Sequence, residues 1–249
     1  MKICLTVNSS PWSSFKGGGQ IAVHHLAAAL CKKGHDVHVV YSKSPDEKIS
    51  KPHVNYHIHW ARHFNIATFN FNIFSFAWTI FRMKKSFDVV HGNAEESCFA
   101  AWVCGKSAFF FTSHAPWIPP TGFLGGLINP LFFLKNLNFY LLRSAAGRAR
   151  KIITFSRFSH KLVVEGLGKD WEDKVIVAPP GIDPSWLEVE RNPAPNPEVI
   201  FWGRVENEKG VPELLRAFKY VAAQLPSAHL TVAGEGRRLD SYKQLAREL

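Results

Sequence analysis

The sequence lacks the features of several common protein classes. Its four cysteines form no Cys-x-x-Cys pair and no cluster with histidine at zinc-ligand spacing; they are Cys4, Cys31, Cys98 and Cys104. The first residues contain no apolar signal-peptide core. Polar residues interrupt the most apolar windows, 64–81 and 123–142, which argues against a spanning helix. We therefore expect buried thiols, a cytoplasmic location and no metal site.

Negative charge is also scarce. The 249 residues include 30 Lys and Arg against 20 Asp and Glu, a formal net charge of +10. Residues 56–164 hold 12 cations and 3 anions, a net charge of +9, together with clusters of Phe and Trp. Nucleic acid is not an expected partner, because these aromatic residues do not alternate along a polar face. Two alternatives remain for residues 123–151: an ordinary domain helix, or peripheral docking on the anionic inner face of the cell membrane.

The hydrophobic pattern predicts an α/β fold in which strands and helices alternate. Apolar runs without polar alternation are typical of parallel strands that are buried on both faces. The predicted strands are Ile3–Val7, Val37–Tyr41, Val54–His59, Asp88–His91, Ala108–Thr112, Lys151–Phe155, Lys174–Ala178, Glu198–Trp202 and His229–Ala233. The predicted helices are Gln20–Lys33, Ala77–Lys85, Leu131–Arg150, one from about Arg157, Val211–Gln224 and Arg238–Leu249.

A Pro-rich, weakly patterned segment divides this series into two parts. Residues 1–181 predict a complete Rossmann-like domain, residues 182–197 a linker, and residues 198–249 a second Rossmann-like domain. Two strand–helix units are too few to close a doubly wound sheet. We therefore expect the second domain to be incomplete.

Three consecutive glycines follow the first predicted strand. Gly17, Gly18 and Gly19 precede a helix, where α/β sheets usually bind ligands and helix amides favour an anion. The fit to the dinucleotide pattern G-x-G-x-x-A is only formal, because the glycines come late after the strand. No Gly-Lys-Ser/Thr follows, which excludes a Walker loop. A ligand-binding loop and a connection without a ligand both remain open.

Titratable residues follow two further strands. His114 comes at the carboxyl end of a predicted strand and is either a catalytic group or the polar end of a core. Glu95 and Glu96 are either an acid/base pair or the first-turn charges of a helix. Adjacent side chains of a helix point in different directions, which favours the second interpretation.

The segment "FWGRVENEKG" brings Arg204 and Lys209 to the end of what we expect to be a buried strand. Arginine makes bidentate contacts with phosphate oxygens and lysine adds a point charge, so the pair suits a diphosphate without requiring a metal. The alternative is a solvated loop in which Lys209 pairs with Glu206 or Glu208.

Several segments together resemble family 4 retaining glycosyltransferases of the GT-B fold, and the likeness runs from the first strand to the last residue. They are "GGGQIAVHHLAAALCKKGHDVHVV", "DVVHGN", "FTSHAPW", "KIITFSRFSHKLVVEGLG" with "KVIVAPPGID", and "VIFWGRVENEKGVPELLRAFKYVAAQLPSAHLTVAGEG". The resemblance implies an acceptor-side domain over residues 1–181 and a donor-binding domain from residue 198.

The resemblance also implies roles for individual residues. Gly17, Gly18 and Gly19 would approach the donor diphosphate and the acceptor, and His114 would lie near the transferred sugar as the catalytic residue. Arg204 and Lys209 would bind the donor phosphates, and Gly234 and Gly236 would approach the base side of the nucleotide.

The implied reaction is the transfer, with retention and without a metal or cofactor, of a sugar from a UDP- or GDP-linked donor. The acceptor would be a glycan or a lipid-linked molecule. The resembled enzymes carry two glutamates, seven residues apart, further along the second domain, and this sequence ends before such a segment. We therefore expect a C-terminally truncated form. The alternative is a non-catalytic fragment or subunit whose first domain binds a membrane or a partner.

Overall fold

A computed structural model describes residues 1–13, 17–43, 53–62, 65–66, 69–70, 72–83, 86–105, 108–114, 137–190 and 192–249. The chain forms two compact units, Met1–Trp186 and Leu187–Leu249. The division falls inside the segment that we predicted as a linker, and the linker limits stay a prediction. Within the described ranges, no helix is long and apolar enough to cross a membrane.

The first unit is built on a seven-stranded parallel sheet. Its strands are β1 (Lys2–Val7), β2 (Asp36–Lys43), β3 (His57–Arg62), β6 (Val89–Asn93), β7 (Ala108–Ser113), β8 (Lys151–Thr154) and β9 (Val175–Val177). Two short strands, β4 (Asn65–Ile66) and β5 (Phe69–Asn70), form a separate antiparallel pair. The strand order in the large sheet is β3-β2-β1-β6-β7-β8-β9. The α/β fold expected from the hydrophobic pattern is thus confirmed.

Among the described residues, five α-helices lie between these strands: α1 (Gly18–Lys32), α2 (Asn72–Arg82), α3 (Glu95–Cys104), α4 (Leu137–Arg148) and α5 (Arg157–Leu167). Short 3₁₀ segments occupy Lys169–Lys174 and Pro184–Leu187. One core cluster joins β1 and β2 to α1 through residues such as Leu5 and Val23. A second cluster joins the sheet to α2, α3 and α4 through residues such as Val40, Phe76 and Ala145. Both faces of the sheet are therefore covered, as a doubly wound fold requires.

The strand order reverses direction beside β1. The chain moves outward from β1 to β2 and β3, and then returns to place β6 on the other side of β1. Loops that leave the carboxyl ends of β1 and β6 therefore turn to opposite faces of the sheet and open a crevice between them. In open α/β sheets ligands bind in this crevice.

Several boundaries differ from the sequence prediction. The third strand begins at His57 rather than Val54, because residues before it contact α1 instead of pairing with β2: Asn55 Nδ2 donates to the carbonyl of Ala28 (3.1 Å). The helix predicted from Ala77 begins at Asn72. Residues 131–136 of another predicted helix lie outside the described residues. Two of the four cysteines, Cys31 and Cys104, are only half-buried.

The second unit contains two parallel strands and two α-helices. These are β10 (Glu198–Trp202), β11 (His229–Ala233), α6 (Val211–Gln224) and α7 (Leu239–Glu248), with a 3₁₀ turn at Asn207–Lys209. The prediction that β10 is buried is wrong, since Ile200 is 63% and Trp202 is 74% exposed. The described elements of this unit are too few to cover both faces of its sheet.

Candidate functional site

The glycine loop and His114 lie together at the carboxyl edge of the large sheet. The amide of Gly17, which precedes α1, donates to Oε1 of Gln20 (2.9 Å), and Gln20 Nε2 donates to Oδ1 of Asn8 (3.0 Å), just beyond β1. His114 directly follows β7. A Cβ atom on Gly19 would lie 3.0 Å from Nδ1 of His114. A glycine is therefore what lets α1 approach the imidazole so closely.

A hydrogen bond orients the His114 ring. Its Nε2 lies 3.0 Å from Oδ1 of Asn93, the last residue of β6. The amide oxygen only accepts, so His114 Nε2 carries the proton and Nδ1 is left as an acceptor. Burial lowers the pKa of His114 to about 4. The ring is therefore neutral at pH 7 and brings no positive charge to the site.

A second buried histidine, His91, lies near the first. Nε2 of His91 is hydrogen-bonded to Oγ1 of Thr112 (2.6 Å). This contact links β6 to β7 two residues before His114. Burial, and then the neighbouring His114, lower the pKa of His91 to about 4. The sequence analysis did not single out His91, although it lies in the quoted segment "DVVHGN".

The residue before α3 has a strained backbone. Ala94 has φ 72° and ψ 160°, a region that residues with a side chain rarely adopt. Helix α3 begins at Glu95, so Glu95 and Glu96 are first-turn charges, as the favoured interpretation predicted. The carbonyl of Ala94 accepts from the amide of Cys98 (2.8 Å), which fixes the start of the helix. Strain of this kind concentrates at functional sites.

Two cavities flank the His114 ring. One, of about 210 Å³, is bounded by the beginnings of α1 and α3 and by the ends of β1 and β7, and its lining includes Asn8, Gly19, Glu95 and His114. The other, of about 330 Å³, lies between α1 and the segment that follows β9, and its lining includes His25, Asn93, Phe155 and Pro180. Both open at the crevice where the strand order reverses. The structure thus brings the predicted residues of the first unit into one site.

A contact between a histidine and an aspartate, not predicted from the sequence, lies at the rim of the second cavity. Nδ1 of His25 on α1 is 3.9 Å from Oδ2 of Asp183. The amide and hydroxyl of Ser185 both donate to Oδ1 of Asp183 (3.0 and 2.7 Å). These hydrogen bonds lower the pKa of Asp183, and His25 adds to the effect. The pair connects α1 to the segment after β9.

In the second unit, Arg204 and Lys209 lie in the loop between β10 and α6. Arg204 Nη2 donates to Oε1 of Glu208 (3.2 Å), and both side chains are about half exposed. Glu206 instead pairs with Arg237 (3.4 Å). The alternative in which Lys209 pairs with either glutamate is therefore wrong for this structure. Arg204 and Lys209 both remain at the solvent-exposed surface, where an anion has access to them.

The two glycines predicted near the nucleotide have a structural explanation. A Cβ atom on Gly234 would collide with the backbone of Gly203, and one on Gly236 would collide with the backbone of Val205. The amide of Val205 donates to the carbonyl of Glu235 (2.9 Å). The turn at Gly234–Gly236 therefore packs directly on the loop that carries Arg204. Its contact with a nucleotide stays a prediction.

Solved structures with a similar fold include glycosyltransferases of the GT-B type. A sucrose-phosphate synthase from Thermosynechococcus elongatus is 17% identical with a TM-score of 0.73, and the alignment covers 99% of this chain and 68% of that one. The Anabaena protein Alr3699/HepE, solved in complex with UDP and glucose, is 15% identical with a TM-score of 0.65, and the alignment covers 100% and 65%. The predicted GT-B fold class is thus confirmed.

The chain belongs to Glycosyltransferase Family 4, whose model matches residues 16–186, more than half of its length. The model of the glycosyl transferases group 1 matches residues 183–249. A glycogen synthase from Mycobacterium tuberculosis is 27% identical over 263 aligned positions, which cover 93% of this chain and 61% of the relative. The chain thus spans about three fifths of the length of the curated relative that it matches.

Proposed function

We propose that the chain takes part in retaining glycosyl transfer from a UDP- or GDP-linked sugar to a glycan or lipid-linked acceptor. The observation that carries the proposal is the approach of Gly19 to His114 between two helix N-termini, in a family of glycosyltransferases. The UDP and glucose bound to Alr3699/HepE support a nucleotide-sugar donor. The glycogen synthase relative supports a sugar-containing acceptor.

Arg204 and Lys209 are the proposed groups that bind the donor diphosphate. Two cations at the end of β10 would stabilise the negative charge that develops on the departing nucleoside diphosphate, so the transfer needs no metal at this point. The acceptor hydroxyl would attack on the face from which the diphosphate leaves. Glu208 accepts a hydrogen bond from Arg204, so we expect phosphate to compete with that carboxylate for the guanidinium.

His114 is proposed to orient the sugar rather than to supply charge. Its ring is neutral at pH 7, its Nε2 proton is engaged by Asn93, and Nδ1 is left to accept a hydrogen bond from a hydroxyl. The amides at the beginnings of α1 and α3 add a positive electrostatic environment beside the same cavity.

Calorimetric titration of the chain with UDP and with GDP tests the donor site. We expect weak binding that Arg204→Ala lowers by about tenfold or more, because a charge-assisted hydrogen bond is lost. The control is Arg216→Ala, which removes an exposed cation of α6 and is expected to leave the affinity unchanged. Tight binding that survives Arg204→Ala would contradict the assignment. Absence of any nucleotide binding would favour the non-catalytic alternative.

A second proposal concerns docking on an anionic membrane. The predicted docking segment, residues 123–151, lies mostly outside the described residues, but α2 offers a specific surface. Its residues Phe74, Trp78 and Phe81 follow helical spacing and are 60–69% exposed. The adjoining groove, of about 1000 Å³, is lined by cations that include Lys43, Arg62 and Arg82. Exposed aromatic side chains beside cations suit an interface with acidic lipids.

Co-sedimentation with phosphatidylglycerol-containing vesicles tests this surface. We expect binding at low salt that weakens at high salt, because screening reduces the attraction of the cations for the lipids. Trp78→Ser is expected to weaken binding, whereas Phe158→Ser, which removes an aromatic side chain of α5 that is 70% exposed, is the matched control. Absence of binding at low salt, or equal losses in both variants, would remove the proposal.

A further inference from the structure

Four polar side chains gather on the same face of β2 and β3, toward the amino ends of the strands. Asp36 and His38 are two residues apart on β2, and His57 and His59 are two residues apart on β3. Residues at this spacing point to the same face of a sheet. The register pairs His38 with His57, which brings the four side chains together.

The donor atoms of three of these side chains lie close together. Oδ1 of Asp36 lies 3.1 Å from Nε2 of His38 and 3.5 Å from Nε2 of His57. The two imidazole rings stack, with centroids 4.6 Å apart and planes 20° from parallel. Among the described residues, only these three side chains bring three Asp, Glu, His or Cys donor atoms within 4.8 Å of one another.

The two distances to Asp36 match those between ligands of one metal ion. Zinc bonds of about 2.0–2.2 Å to imidazole and carboxylate place neighbouring tetrahedral ligands about 3.3–3.5 Å apart. The observed 3.1 and 3.5 Å lie close to this spacing. The His57 side chain is largely exposed, and a rotation of its ring out of the stack would turn Nε2 toward the ion.

The surroundings of His38 also fit a ligand. Its side chain is 1% exposed, and its Nδ1 is 2.8 Å from Nε2 of His59. If Nδ1 donates this hydrogen bond, Nε2 carries no proton, and a cation between Nε2 and Asp36 would bind both acceptors. A second partner that fixes the tautomer in this way is typical of metal-bound histidines. Phe87 packs edge-on against the other side of the ring.

We propose that Asp36, His38 and His57 bind one Zn²⁺ ion, with a water molecule in the fourth position. Two imidazoles and one carboxylate are a ligand set that zinc accepts, whereas Mg²⁺ and Ca²⁺ prefer oxygen ligands alone. The exposed side of His57 gives the ion access from solvent. The site joins β2 to the edge strand β3, so binding stabilises that edge of the sheet.

This site is separate from the proposed sugar-transfer site. It lies toward the amino ends of the strands, whereas His114 and the glycine loop lie at their carboxyl ends. A zinc ion at this site therefore does not conflict with the proposal that sugar transfer proceeds without a metal. The sequence prediction of no metal site rested on the cysteines and did not consider "DVH" and "HIH" on neighbouring strands. That prediction stays untested.

The test uses the full chain without an oligohistidine tag. Zn²⁺ is titrated near neutral pH in competition with a chromophoric chelator, and the visible ligand-field bands of Co²⁺ give a second readout. We expect one equivalent of tightly bound Zn²⁺, and at least a tenfold loss of affinity in His57→Ala and in Asp36→Asn. His57 is 65% exposed, so its replacement is expected to leave the fold intact, which circular dichroism checks.

His229→Ala is the matched control, because His229 is an exposed strand histidine of the second unit. This variant is expected to bind Zn²⁺ as the wild type does. Zn²⁺ is also expected to raise the melting temperature of the wild type and of His229→Ala, but not of His57→Ala. Two results would overturn the proposal: no stoichiometric uptake of Zn²⁺ by the wild type, or equal affinity in the wild type and His57→Ala.

Discussion

Gly19 faces the imidazole of His114, whereas its neighbour Gly18 faces open space. A Cβ atom on Gly19 would lie 3.0 Å from Nδ1 and 3.2 Å from Cγ of His114. A Cβ atom on Gly18 would meet no atom within 4 Å. Two adjacent glycines in the first turn of α1 therefore differ in whether a methyl group can be added.

This difference predicts opposite effects of the same substitution. Gly19→Ala is expected to displace His114 from Asn93 and to lower the free energy of unfolding by about 1–3 kcal/mol. Gly18→Ala is expected to raise it by about 0.4–1 kcal/mol, because alanine restricts the unfolded chain and fits a helix. Urea denaturation measures both changes, and imidazole NMR resonances of His114 report its position. A Gly19→Ala protein with wild-type stability and an unshifted His114 resonance would contradict the geometry.

Acid is expected to destabilise the first unit through His91 and His114. Burial, together with the neighbouring His114 in the case of His91, lowers the pKa of each ring from 6.5 to about 4. The unfolded chain takes up both protons as the pH falls through 6.5, whereas the folded chain resists until about pH 4. Stability is therefore full above pH 6.5 and declines between pH 6.5 and 4, by up to about 3 kcal/mol per ring.

Urea denaturation at about pH 7 and about pH 5 measures this effect. Acidic groups of the chain add their own pH dependence, so the informative quantity is the difference between proteins. His91→Gln is expected to lose less stability than the wild type between the two pH values. His53→Gln, at an exposed position, is the control and should follow the wild type. Identical slopes in all three proteins would contradict burial of a neutral His91.

Much of the fold could be predicted from the sequence, because β1 and β2 are buried on both faces and read as apolar runs. The more exposed strands of the second unit have a similar apolar pattern. The strands β10 and β11 and the helix α6 have the predicted bounds. The third strand was misplaced because apolar Val54 and the buried Tyr56 suggested pairing, whereas Tyr56 bonds through its hydroxyl to His24 (2.7 Å) and Tyr41 (3.0 Å). Such side-chain contacts depend on the position of α1, which local patterns do not specify.

The site was predictable in position but not in its internal contacts. His114 and the glycine loop could be placed at strand ends from the sequence. The hydrogen bonds of Asn93 with His114 and of His91 with Thr112 form because β6 lies between β1 and β7 in the sheet. The pairing of Arg204 with Glu208, rather than of Lys209 with a glutamate, depends on the conformation of the loop. The roles of these residues in transfer stay predictions.

The strained backbone of Ala94 leads us to expect that a glycine at this position stabilises the protein. Its φ of 72° with ψ of 160° costs about 1–3 kcal/mol for a residue with a side chain. Ala94→Gly removes this strain and is expected to raise the free energy of unfolding by about 1 kcal/mol, after the entropy cost of glycine. Ala223→Gly, in the exposed part of α6, is the control and is expected to lose about 0.5–1 kcal/mol. A loss in both variants would show that the position is unstrained.

Gly236 lies in the turn that packs on the loop carrying Arg204, so a substitution there tests whether this packing stabilises the second unit. A methyl group there would overlap the backbone of Val205, which cannot move aside as a flexible side chain would. The amide of Arg238 donates to the Val205 carbonyl (3.4 Å), so displacing this backbone also disturbs the start of α7. We expect Gly236→Ala to destabilise the unit by about 1–3 kcal/mol. Because Val205 follows Arg204, we also expect weaker binding of UDP or GDP.

Gly181→Ala provides the comparison, since a Cβ atom there would meet nothing within 4 Å. Its free energy of unfolding is expected to stay within about 0.5 kcal/mol of the wild type. Thermal unfolding and calorimetry together separate the two effects of Gly236→Ala. A variant that folds as stably as the wild type and yet binds no nucleotide would assign Gly236 a direct contact with the nucleotide. If Gly236→Ala lowers stability and nucleotide binding together, Gly236 acts by allowing close packing on Val205.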